Sequence, residues 1–146
     1  MFGRTPLLLY YETIRNNMGK KSVKPSEQEL AILQVLWQQG AATVKEVNAV
    51  LNTQKPTGYT TTLKLMQIMH GKGLVSRTTE GAKGRSHIYS AAVPESQISH
   101  RLLDSFIQRV FQGSTSKLVL RALGRNDASA EELEEIRHYL DQLDNK

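Results

Sequence analysis

Residues 59–91 run YTTTLKLMQIMHGKGLVSRTTEGAKGRSHIYSA, and within them the hydrophobic period changes once. Leu63, Met66 and Met69-His70 mark one face at helical spacing, which predicts a helix from about Tyr59 to His70, ended by Gly71-Lys72-Gly73. Leu74-Val75-Ser76-Arg77-Thr78-Thr79 then favours a strand. Glu80-Gly81-Ala82-Lys83-Gly84-Arg85 is a glycine-rich, basic loop, and Ser86-His87-Ile88-Tyr89-Ser90-Ala91 alternates as a returning strand. The segment is thus read as a helix running into a hairpin with a basic tip.

Two helices are expected upstream. Ser26 and Glu29 have the S-x-x-E spacing in which each side chain satisfies an exposed backbone amide of the other. Leu30, Leu33 and Trp37 follow at helical spacing, Ile32 and Leu36 widen the stripe, and Gly40 ends it. Thr43-Val44-Lys45-Glu46 repeats the box before a shorter helix through Val47, Val50 and Leu51, ending near Asn52. Lys55-Pro56-Thr57-Gly58 is a turn. Three short helices followed by a basic hairpin is the element order of a winged helix-turn-helix.

Downstream the pattern is helical again. Pro94 opens a helix whose stripe of Ile98, Leu102, Leu103, Phe106, Ile107, Val110 and Phe111 is wide for a terminal helix of a small domain. Gly113-Ser114 breaks it, Leu118 to Leu123 forms a shorter helix, and Ser129 with Glu132 opens a third. A single chain would leave the wide stripe partly in water. Pairing it with the same surface of a second copy gives a two-fold dimer. Leu102, Leu103, Phe106, Ile107, Leu118, Leu120, Ile136 and Leu140 are the expected interface residues. The domain reading is an extension over 1–24, a winged helix over 25–92 and a helical dimerisation region over 93–146.

The 146 residues carry a formal net charge of +5, unevenly placed. Residues 26–92 hold seven basic and four acidic side chains, whereas residues 126–146 hold two basic and seven acidic. A polyanion would be attracted by the first part and repelled by the last. The absence of cysteine excludes disulfides, thiolate metal sites and cysteine nucleophiles. The four histidines lack metal-ligand spacing, and the glutamates from 131 to 135 cover most of one helix's circumference without forming an acid–base pair. No phosphate-cradling or nucleophile-elbow motif occurs, so no enzyme and no cofactor is expected. No apolar run is long enough to span a bilayer, and Pro6 to Tyr11 is too short for a signal core, which makes the cytoplasm the expected location. Met18 is a second candidate start beside Met1.

From about Lys24 to Asp144 the chain resembles the penicillinase and methicillin-resistance repressors of bacteria. The matching features are Glu29-Leu30 and Leu36-Trp37 in the first helix, Thr43-Val44-Lys45-Glu46-Val47 opening the second, Tyr59-Thr60-Thr61-Thr62, Lys72-Gly73-Leu74-Val75-Ser76-Arg77, and Tyr89. Ser116-Lys117-Leu118-Val119-Leu120 is similar to the family's dimerisation region. The resemblance implies a homodimeric winged-helix transcriptional repressor on a double-stranded DNA operator with an inverted repeat. It also implies an inducing system upstream, such as a membrane-bound sensor protease. At the position of the family's Asn–Phe cleavage point stands Arg121–Ala122, a departure from the pattern. Copper-responsive relatives use cysteines that this chain lacks.

Residue by residue, Thr60, Thr61 and Thr62 stand at the start of the expected recognition helix, where short donors meet base edges and free amides attract phosphate. Lys64 and Gln67 are three apart on one face; lysine can donate to guanine and glutamine can bridge adenine N6 and N7. The family often has a basic residue where this chain has Ile68, so base preference is expected to differ. Thr43 and Lys45 are expected over the backbone, Lys83 and Arg85 at phosphate or minor groove, and Tyr89 with its hydroxyl toward phosphate. Trp37, Met66 and Met69 are read as core. The alternative function is a winged-helix adaptor that binds a protein partner without specific DNA binding.

Overall fold

Ser26 starts the first helix by the reciprocal bonding that its spacing to Glu29 allows. In the computed structural model, which describes residues 24–79 and 86–145, Glu29 N–H donates to Ser26 Oγ at 3.2 Å. Ser26 N–H donates to Glu29 Oε1 at 2.9 Å. Helix α1 (Glu27–Gln39) stops at Gly40, whose φ of 85° suits glycine and whose N–H closes on Leu36 O. Helix α2 (Val44–Gln54) is capped by Thr43, which accepts from Glu46 N–H. Here the return bond differs from a full capping box: the Thr43 hydroxyl, not its backbone amide, donates to Glu46. Helix α3 (Tyr59–Gly71) follows the turn and begins without a side-chain cap at Gly58.

Gly73, at φ 80°, turns the chain out of α3 into strand β1 (Val75–Thr78). Strand β2 (Ile88–Ala91) returns antiparallel, pairing Val75 with Ala91 and Arg77 with Tyr89. Ala42, between α1 and α2, adds a single bridge to the other edge, exchanging both backbone bonds with Tyr89 at 2.8 and 2.9 Å. The hairpin is thereby tied to the helices at one residue.

The core forms where these elements meet. Ile32, Leu33 and Leu36 of α1, Val47 of α2, Met66 and Met69 of α3, and Leu74, Val75 and Tyr89 are all buried in one cluster. Trp37 packs against it and donates from Nε1 to Val93 O at 2.9 Å, across 56 positions of sequence. These apolar side chains supply the burial that stabilises helices too short to persist alone.

The chain divides after Arg101 into two compact units. Helix α4 (Glu95–Phe111) begins in the first, where Ile98 is buried, and ends in the second. The second unit continues with α5 (Thr115–Leu123), capped by Ser114, and α6 (Ala130–Asp144), capped by Ser129. Ile107 is buried and Phe106 meets Phe111 edge to face at 5.8 Å. Among the described residues no helix is long and apolar enough to cross a membrane. The fold is mainly helical with one small hairpin, in the winged helix-turn-helix order.

Candidate nucleic-acid interface

Helix α3 has two faces, and the sequence separates them. Thr62, Met66 and Met69 recur at i, i+4 and i+7 and are fully buried. Thr60, Thr61, Lys64, Gln67 and Ile68 fall on the opposite arc, about 120° wide at 100° per residue, and are exposed. That arc carries hydroxyl, ammonium and carboxamide groups side by side, the groups that can address base edges in a major groove. At its N-terminal end, the first amides of α3 have no side-chain cap, which leaves them open to an anion.

The structure divides the expected contact residues. Thr60, Thr61, Lys64 and Gln67 stand together on α3. Lys45 is exposed in the first turn of α2, beside the half-buried cap Thr43. Lys83 and Arg85 lie outside the described residues. Two expectations are corrected in position. Thr62 is 0% exposed and its hydroxyl is engaged inside the protein, so it does not face a ligand. Tyr89 is 1% exposed because the bridge to Ala42 seals its strand against α1, and its hydroxyl does not reach the surface.

Thr62 has a different role, through residues that sequence reading did not single out. Asn48 of α2 donates from Nδ2 to Thr57 O and to Thr62 Oγ1, both at 2.9 Å. Thr57 N–H donates to Asn52 Oδ1 at 2.8 Å, and Asn52 Nδ2 donates back to Asn48 Oδ1 at 3.0 Å. Two asparagines one helical turn apart thus fasten the turn between α2 and α3 and fix where α3 begins. Their i, i+4 spacing on α2 was the available signal.

A second fastening holds the other end of α3. Lys72 Nζ lies 3.0 Å from both carboxylate oxygens of Glu29. Burial by itself raises the Glu29 carboxyl. The Ser26 amide, the Lys72 ammonium and the Ser26 hydroxyl outweigh it and hold the group below its ordinary value. One glutamate therefore caps α1 and anchors the residue that follows α3.

In the second unit, Leu103, Phe106, Leu120 and Leu140 are exposed, Leu120 by 70%. Leu102, Leu118 and Ile136 are half-buried. Ile107 is buried within its own chain. Val110, Val119, Tyr139 and Leu143 are exposed as well.

The sequence model of a family described as penicillinase repressor matches residues 25–142. The methicillin resistance regulatory protein MecI of Staphylococcus aureus is 26% identical over 125 residues, covering 86% of this chain and 99% of its own. The penicillinase repressor of Bacillus licheniformis is 25% identical over 127 residues, covering 87% and 97%. Among solved structures, a mutant MarR from E. coli complexed with operator DNA aligns with a TM-score of 0.48 at 14% identity, covering 94% of each chain. By name, these relatives are a regulatory protein and a repressor.

Proposed function

Because this chain belongs to the penicillinase repressor family, we propose that it is a homodimeric transcriptional repressor acting in the cytoplasm on an operator with an inverted repeat. The observation that carries the reading is the divided surface of α3, with Thr60, Thr61, Lys64 and Gln67 on one exposed arc. Residues 25–92 form the DNA-binding part. The N-terminal turn of α3 enters the major groove, its uncapped amides and Thr60 meet phosphate, and Lys64 and Gln67 read base edges. Lys45 lies over the backbone, and Lys83 and Arg85 extend the contact from the hairpin.

Residues 93–146 pair two copies. The exposed Leu103, Phe106, Leu120 and Leu140, with Leu102, Leu118 and Ile136, supply the apolar surface. Two-fold pairing sets two recognition helices about 34 Å apart, one turn of DNA, which is why the operator is an inverted repeat. Release of the operator falls to an inducing system, such as a membrane-bound sensor protease.

The test is selection of sheared genomic DNA by the full chain at about 150 mM salt, where non-specific binding is weak. Recovery of a short inverted repeat upstream of a few genes is expected. Uniform recovery of all fragments would overturn the reading in favour of a winged-helix adaptor for a protein partner.

A further inference from the structure

Ile68 is anomalous on the exposed arc of α3. The neighbours that share this arc (Thr60, Thr61, Lys64 and Gln67) are polar, while Ile68 is apolar and 43% exposed. Its β-branch slightly lowers helix propensity, so local propensity does not account for it. It takes no part in the buried cluster that holds Met66 and Met69. A lone exposed isoleucine elsewhere would need no explanation. This one sits one turn beyond Lys64, on the face that the proposed function turns toward DNA.

The major groove offers one apolar group on its base edges, the C5 methyl of thymine. We propose that Ile68 is a specificity-determining residue that packs on a thymine methyl in each half-site of the operator. The inference rests on the DNA-binding reading of α3. The chemistry of the arc supports it. Lys64 and the hydroxyls of Thr60 and Thr61 can hold the helix to phosphates and polar edges, which leaves Ile68 as the one side chain of the arc with nothing to donate. Only an apolar partner rewards it there. Its branched side chain has few rotamers to lose, so packing there costs little ordering.

The test uses the full chain and short random-sequence duplexes. After selection, each thymine of the enriched sequence is replaced in turn by uracil, which removes the methyl and nothing else. Wild-type protein is expected to lose about fourfold in affinity at one thymine per half-site, and about fifteenfold when both symmetric thymines are replaced. Ile68→Ala is expected to bind the thymine and uracil duplexes equally, with unchanged helical circular dichroism. Ile68→Val is expected to keep part of the difference. Enrichment of a sequence whose uracil scan is flat, or a scan that Ile68→Ala leaves unchanged, would overturn the inference while DNA binding stands. Failure to enrich any sequence would overturn the DNA-binding reading and the inference with it.

Discussion

Replacing Glu29 by glutamine removes one charge and almost no volume from the point where α1 and α3 are joined. Glutamine keeps one oxygen that can accept from the Ser26 amide and from Lys72, but it loses the second acceptor and the negative charge that pairs with the ammonium. A charge-assisted hydrogen bond contributes about 1.5–3 kcal/mol, and the 42% exposure of the Lys72 side chain screens part of it. The buried site adds a cost for an amide facing a cation. About 1–2 kcal/mol of destabilisation is expected at neutral pH, or roughly 4–15 °C in the melting temperature of a unit this small. Trp37 is the chain's single tryptophan and belongs to the first unit, so its fluorescence during urea unfolding reports the right transition. The pH dependence has a definite sign. The folded carboxyl lies below its unfolded value of 4.5, so the pair contributes fully above pH 4.5 and is lost as pH falls through the lower folded value. The gap between wild type and Glu29→Gln should therefore close in acid. Equal stability at pH 7, or a gap that persists unchanged to about pH 2–3, would refute the reasoning.

Three further outcomes are expected. Asn48→Ala removes two bonds that fix the start of α3; it should cost about 2 kcal/mol in urea unfolding and weaken DNA binding beyond what the lower stability explains. Lys64→Ala should weaken operator binding by about 1–3 kcal/mol and relax discrimination at one base pair of each half-site, measured by fluorescence anisotropy on operator variants. Leu120→Glu alters a side chain that is 70% exposed in its own chain, so sedimentation should show monomers while the circular dichroism of the helices is retained.

Much of the fold was legible because its signals are local. Ser26 with Glu29, Thr43 with Glu46 and the glycine at 40 mark helix ends through bonds spanning three or four residues. The change of period after Gly73 marked the hairpin, and the structure shortens its strands to four residues each. The candidate interface was less legible. Thr60, Thr61 and Thr62 look alike in sequence, but successive helical residues are 100° apart, so the three cannot all face one ligand. The spacing of Thr62 to Met66 and Met69 would have placed it inside. Tyr89 could not be placed from its strand alone, because the bridge that buries it comes from Ala42, 47 positions earlier. The Lys72–Glu29 pair spans 43 positions and has no local signature.

The spacing of the two half-sites tests the central claim most directly. With the inverted repeat recovered from genomic DNA, the full chain is titrated onto duplexes whose half-sites are moved apart by about five base pairs, half a helical turn, which puts them on opposite faces of the DNA. A dimer that presents two copies of α3 should bind the original repeat with two chains per duplex and fall toward non-specific affinity on the altered one. Equal affinity for both duplexes, or one chain bound to each, would contradict the account.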